Sequence, residues 1–271
     1  MKIPIYQVDA FAGSRFKGNP AAVCLLESWL DDSLLQSIAT ENNLSETAFV
    51  KQDSSGQYEL RWFTPSFEIP LCGHATLAAS YVIFQNLDGE QGVIHFSTKS
   101  GELHVSRENG RLVMDFPAYE VESIDASHAM IAGLGGTPRE MFKSGINYYA
   151  VFGSEHEVRS LKPDFAAILD LIRGNHFIGI VPTARGQEYD FVSRYFAPEE
   201  GTNIGEDPVT GSIHSVLIPF WSERLGKTKM HAYQASERGG ELFCELIERD
   251  GSKRSLIGGF VQPYLEGFIE V

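Results

Sequence analysis

Two short segments concentrate side chains able to move a proton or hold an anion. One reads Leu71-Cys72-Gly73-His74-Ala75-Thr76, the other Gly205-Glu206-Asp207-Pro208-Val209-Thr210-Gly211-Ser212-Ile213-His214. Each leads into a mostly apolar run, Gly73 to Phe84 and Val209 to Leu225, which reads as a buried helix. Cys72 stands where an N-cap would. Asp207 is a strong N-cap type, and Pro208 then falls at N1, its favoured helical position. A helix start offers unpaired N–H groups at the positive end of the dipole, so it binds anions. Glycines such as Gly73 and Gly211 let the backbone come close to a ligand. One such start is an ordinary capped core helix. Two of them aimed at one cleft would hold a carboxylate without arginine or metal.

A further candidate lies in Asn42-Asn43-Leu44-Ser45-Glu46-Thr47-Ala48-Phe49-Val50. A helix is expected to end near Asn42 and a strand to begin near Thr47, which places Glu46 on the bend. Catalytic groups favour such bends. A lone glutamate there is more often solvated surface, and spacing alone does not decide between the two.

Other chemistries fit less well. Cys72 at a helix start is a possible activated nucleophile, although an unpaired cysteine is commonly a small buried hydrophobe. Cys72, His74, Asp207 and His214 have the donor types of a zinc site. No His-Glu-x-x-His or paired Cys-x-x-Cys pattern supports one, so no metal is expected. Ser212, His214 and Asp207 include hydrolase-triad types but lack a Gly-x-Ser-x-Gly elbow. Gly133-Leu134-Gly135-Gly136 lacks the phosphate-loop lysine and reads as a turn. No motif for nicotinamide, flavin or pyridoxal phosphate is present, and the expectation is that no cofactor is used.

The elements that must position these residues are mostly strands. Period-2 alternation marks Gln57 to Phe63, Glu102 to Ser106, Leu112 to Phe116, Asn147 to Phe152, Tyr189 to Phe196 and Leu242 to Ile247. Asp31 and Asp32 precede Leu34, Leu35, Ile38 and Ala39, the pattern of a capped amphipathic helix. An internal repeat organises the set. Arg61-Trp62-Phe63-Thr64-Pro65 matches Arg194-Tyr195-Phe196-Ala197-Pro198, 133 residues on (61 to 194). Each copy is followed by a loop, a buried helix and a hairpin, closed by Asn109-Gly110 in the first and Asp250-Gly251 in the second. Both dipeptides favour type I′ turns. The expected class is α+β: two duplicated lobes, each a mostly antiparallel sheet wrapped around a central helix. The first lobe would span 1–116 and the second 117–264, with a final strand over 265–271 returning to the first.

Composition sets the outer bounds. The 271 residues carry 22 Lys plus Arg against 36 Asp plus Glu, a formal charge of −14. Such acidity argues against nucleic acid or an anionic membrane as the partner. Three cysteines, an odd number, do not form a disulfide framework and fit a reducing cytoplasm. No apolar run approaches membrane-spanning length, and Met1 to Asp9 does not read as a signal peptide.

Taken together, Gly18-Asn19-Pro20-Ala21-Ala22-Val23, Leu44-Ser45-Glu46-Thr47-Ala48-Phe49, Arg61 to Pro65, Leu71 to Thr76 and Gly205 to His214 resemble the phenazine-biosynthesis PhzF-like family. The resemblance runs the length of the chain, in order. It implies the duplicated fold of diaminopimelate epimerase, with the site in the cleft between lobes. It implies Glu46 as the acid/base residue, with His74 and Asp207 beside it in the catalytic set. Cys72, Gly73, Gly211, Ser212 and Asn19 would bind substrate. It further implies a homodimer and a small carboxylate-bearing substrate; the best-understood member isomerises trans-2,3-dihydro-3-hydroxyanthranilate without a cofactor. One departure from the epimerases matters. They place a cysteine at each helix start, whereas here Cys72 faces Asp207 in the repeat. A matched thiol pair is absent, which weighs against racemisation and favours a single carboxylate that returns its proton on the same face. A racemase using Cys72 and Asp207, and a binding protein that has lost the reaction, stand as alternatives.

Overall fold

Strands are the main element of this molecule, and over Val93–Thr98 and Arg111–Pro117 their side chains alternate between core and solvent. The computed structural model describes residues 1–86, 92–174, 176–198 and 205–271. It separates into two compact units, Met1–Asp115 with Gly258–Val271, and Phe116–Ile257. The segment that rejoins the first unit thus begins earlier than residue 265.

In the first unit, β1 (Lys2–Ala10) pairs antiparallel with β2 (Asn19–Leu26), α1 (Asp32–Asn42) crosses over, and β3 (Glu46–Gln52) lies parallel to β2. Next, β4 (Tyr58–Phe63) runs antiparallel to β3, and the short β5 (Glu68–Ile69) folds back on β4. The helix α2 (Gly73–Asn86) then leads to β6 (Val93–Thr98), parallel to β4, and to the hairpin β7 (Gly101–Glu108) and β8 (Arg111–Pro117). Tyr58, Leu60 and Trp62 all face the core, as their alternation requires. Positions 73–80 and 82–84 of α2 are all buried. That is why α2 shows no amphipathic stripe: strands β1, β2 and β3 pack against it.

The second unit begins with β9 (Glu122–Ile124), α3 (His128–Leu134), β10 (Glu140–Ser144) and β11 (Asn147–Val151). After α4 (Glu155–Ser160) and α5 (Phe165–Ile172), β12 (Gly179–Arg185) lies parallel to β11, and β13 (Phe191–Ser193) antiparallel to β12. Then α6 (His214–Leu225) leads to β14 (Lys229–Gln234), parallel to β13, and to the hairpin β15 (Gly240–Arg249) and β16 (Ser252–Gly259). The chain closes with β17 (Val261–Glu270), antiparallel to β1.

The duplication is legible element by element. The hairpin β1–β2 has its counterpart in β10–β11, the parallel step β2 to β3 in β11 to β12, and the parallel step β4 to β6 in β13 to β14. Even the outer neighbours correspond: β17 pairs with β1, and β9 with β10. Both predicted I′ turns have positive φ at each central residue, 51° and 79° at Asn109-Gly110, 52° and 73° at Asp250-Gly251.

Three expectations need correction. The strand expected over Tyr189 to Phe196 is regular only over Phe191–Ser193, with Phe196 making isolated bridges to Ile180 and Glu206. Arg194 N–H donates to the Pro182 carbonyl, but Pro182 has no N–H to return, so the ladder breaks there. The second helix begins at His214, not near Val209, and its N-cap position is Ile213. Residues 211–213 form tighter i→i+3 turns into the helix. Asp207 is therefore not its N-cap, and Pro208 is not its N1 residue. Gly133, expected in a turn, lies in α3, and Gly135 ends that helix with φ 68°. Among the described residues, no helix is long and apolar enough to cross a membrane. All three cysteines are buried and free.

Candidate active site

In the first unit, the site residues come from three neighbouring element starts. Asn19 opens β2 and Glu46 opens the parallel β3, with Ala21 opposite Glu46 in the register. Cys72 and His74 lie at the start of α2. The geometry of the Gly18-Asn19-Pro20 motif has a steric cause: Gly18 has φ 72°, and a Cβ there would fall on the Ala10 carbonyl oxygen. Asn43 ends α1 in the left-handed conformation at φ 49°, which turns the chain into the bend before Glu46.

These residues assemble tightly. His74 Nε2 lies 3.0 Å from Glu46 Oε2. On its other side, His74 Nδ1 lies 3.1 Å from Asn19 Nδ2 and 3.5 Å from Cys72 Sγ. Ser45 Oγ donates to Asn19 Oδ1 at 3.5 Å. The side chain of Glu46 is 15% exposed and that of His74 5%, so Glu46 is not the solvated surface glutamate of the alternative reading. The close approach of Nε2 and Oε2 is an ionic contact without hydrogen-bond alignment: both atoms are buried and neither makes a hydrogen bond. Buried polar atoms are nearly always paired, so this pair has capacity left for a substrate. Cys72 does take the N-cap-like place expected of it: its carbonyl accepts from Thr76 N–H at 3.2 Å.

The electrostatics follow from burial and proximity. Burial first, then the Glu46 carboxylate, push the Cys72 thiol up, which favours the neutral thiol at neutral pH. Burial lowers the His74 pKa, while the adjacent Glu46 carboxylate acts the other way, and the balance lies above the ordinary imidazole value. Donor atoms of Glu46, Cys72 and His74 all lie within 4.8 Å of one another, a mixed O, S and N set of the kind that ligates zinc.

In the second unit, Asp207 precedes a loop that α6 does not include. Thr210 Oγ1 donates to Asp207 Oδ2, and Thr210 N–H donates to Gln234 Oε1 at 2.8 Å. Gln234 Nε2 donates to the Asp207 carbonyl at 2.8 Å. Asp207 is half-buried, Gly211 buried and Ser212 exposed. His214, weighed above as a zinc ligand and a triad member, is fully buried. Its Nδ1 donates to the Thr210 carbonyl at 2.8 Å, and burial pulls its pKa down to about 4. It is a neutral core histidine.

Each unit also anchors its segment with the arginine of the repeat. Arg61 Nε and Nη2 both donate to Glu68 at 2.8 Å, and Arg194 Nε and Nη2 both donate to Glu206 at 2.8 Å. Such planar forks fix orientation as well as charge. The sequence showed the repeated arginines but not their partners, because Glu68 and Glu206 lie at unequal distances along the chain. Gln234 carried no sequence signal: a glutamine at a strand end is recognised only when its partners are placed.

Residues 8–266 match the family model described as phenazine biosynthesis-like protein. The chain belongs to that family. A Pseudomonas aeruginosa protein named an uncharacterized isomerase is 47% identical over 271 residues, covering 100% of both chains. A crystal structure from Enterococcus faecalis, described as a phenazine biosynthesis protein of the PhzF family, covers 100% of both chains at 42% identity with a TM-score of 0.92. Members of this family named as isomerases support an isomerase. A hydroxyproline epimerase from Agrobacterium vitis, 9% identical, aligns over 99% of this chain and 92% of its own with a TM-score of 0.62. At that identity the likeness concerns the fold, which is the duplicated α+β fold of the diaminopimelate epimerase-like proteins.

Proposed function

We propose that this protein is an isomerase that shifts a proton within a small carboxylate-bearing metabolite, with Glu46 as the acid/base residue. The observation that carries this reading is the pair Glu46 Oε2 and His74 Nε2: buried, 3.0 Å apart and without hydrogen bonds of their own. Glu46 would take a proton from one carbon and return it to another on the same face, which needs one carboxylate and no partner on the opposite side. His74, with Nε2 3.0 Å from the Glu46 carboxylate, would stabilise the negative charge that develops as the proton leaves. Asp207 and Ser212 would engage the polar groups of the substrate, and Cys72, Gly73 and Gly211 would line its path. We assign the reaction to these side chains without a cofactor or metal. Because Glu46, Cys72 and His74 are three clustered donors, elemental analysis of the purified protein is a direct check; we expect no stoichiometric metal, and one equivalent of zinc would refute this part.

The alternative is a racemase using Cys72. For Cys72 to be the base it must be a thiolate, and burial with the Glu46 carboxylate opposes ionisation of this thiol. To find the substrate, Glu46→Gln protein would be incubated with a metabolite extract, recovered and its bound small molecules identified by mass spectrometry. We expect enrichment of a small carboxylate relative to denatured protein. No enrichment of any carboxylate would count against the assignment.

A further inference from the structure

The segment from Asp207 to Gly211 has no regular structure, and one buried side chain organises it. Gln234 ends β14, is 0% exposed, and reaches the segment through both ends of its amide. Backbone partners fix which end is which. The Thr210 N–H can only donate, so the atom 2.8 Å from it is the oxygen Oε1. The Asp207 carbonyl can only accept, so the atom 2.8 Å from it is Nε2. Nε2 also lies 3.3 Å from Thr210 Oγ1, and with nothing but hydrogens to offer it makes that hydroxyl an acceptor. The single hydroxyl proton of Thr210 is then free to go to Asp207 Oδ2, which lies within hydrogen-bond reach.

We infer that Gln234 and Thr210 are positioning residues for Asp207, forming a hydrogen-bond chain of fixed polarity from Gln234 Nε2 through Thr210 Oγ1 to Asp207 Oδ2. The chain does two things. It holds the carboxylate in one orientation on a loop that has no helix to support it. It also commits Oδ2 to accepting the Thr210 hydroxyl proton. Ser236 Oγ, donating to the Pro208 carbonyl at 2.7 Å, ties down the same loop from the following turn. The chemical role of Asp207 rests on the reading proposed above; the chain of hydrogen bonds does not.

Two measurements on the intact protein test this. In isotopically labelled wild type, NMR couplings across hydrogen bonds should link Thr210 N to the Gln234 side-chain carbonyl carbon, and Gln234 Nε2 to the Asp207 carbonyl carbon. Their absence would overturn the placement of the Gln234 amide on which the polarity of the chain rests, with or without a known substrate. Once the reaction is assayed, Thr210→Ser should keep kcat/KM within about threefold, because it keeps the hydroxyl. Thr210→Val should lose on the order of tenfold or more, the usual worth of a hydrogen bond to a charged group. Equal losses in the two variants, or full activity in Thr210→Val, would overturn the positioning role while leaving Glu46 untouched. If Thr210→Val does not fold, the wild-type couplings and the Thr210→Ser result decide.

Discussion

At the scale of single residues, two histidines at the starts of the corresponding helices α2 and α6 have opposite fates. His74 sits between Glu46 and Cys72 and is held above its ordinary pKa; His214 is buried with one backbone acceptor and held near 4. The second has a consequence for stability. Its folded pKa lies below the ordinary 6.5, so between those values the unfolded chain binds the extra proton and stability falls as pH is lowered from about 6.5 to about 4. His214→Phe should flatten that part of the stability–pH curve measured by urea unfolding; an unchanged slope would mean that His214 does not titrate there. At the site itself, Cys72→Ser should cost activity far less than Glu46→Gln, because a neutral thiol is not the base. A dead Cys72→Ser enzyme with an active Glu46→Gln enzyme would restore the racemase. Glu46 and His74 stood out in the sequence, but the roles proposed for them were legible only as implications of the family resemblance. Burial decides whether a glutamate on a bend is surface or site, and burial depends on β2 and α2, which are distant in sequence.

At the scale of elements, the strand alternation and the buried character of α2 were readable because a repeated pattern averages out local exceptions. The start of α6 departs from the sequence expectation because the capping signal at Asp207 and Pro208 is genuine local chemistry that a tertiary partner, Gln234, overrides. Two predictions belong here. Leu77 lies at 0% exposure in α2, and Leu77→Ala should destabilise the protein by about 2–5 kcal/mol; a loss under about 1 kcal/mol in chemical unfolding would contradict the packing described. The fork on Glu68, with Lys99 added at 2.5 Å, holds that carboxyl down to about 2 from its ordinary 4.5. A depressed acid contributes stability above its unfolded pKa and loses it as pH falls, here from about 4.5 to about 2. Glu68→Gln should be less stable than wild type at neutral pH, with the difference shrinking through that window; a constant difference would show that the fork is not the cause.

At the scale of the whole molecule, the duplicated order of strands and helices was foreseeable from Arg61 to Pro65 and its echo at Arg194 to Pro198, whereas the contents of each segment diverged too far for roles to be copied from one to the other. The homodimer suggested by the family resemblance is a proposal with a physical motive: Phe16, Tyr264 and Phe268 of the first unit are 65%, 57% and 69% exposed, an apolar set that a solvated surface does not favour. Light scattering should give twice the mass of the 30.0 kDa chain, and Phe268→Glu should shift it toward monomer; a wild-type monomer at micromolar concentration would contradict the proposal. The central claim concerns Glu46. Wild type and Glu46→Gln would each be incubated with the carboxylate recovered by trapping, and the products separated chromatographically and weighed by mass spectrometry. Wild type should convert that compound into a species of identical mass and different retention, and Glu46→Gln should do so on the order of a hundred- to ten-thousand-fold more slowly, while Glu41→Gln, on the exposed end of α1, stays near wild type. Conversion by Glu46→Gln at the wild-type rate would contradict the assignment of Glu46 as the acid/base residue.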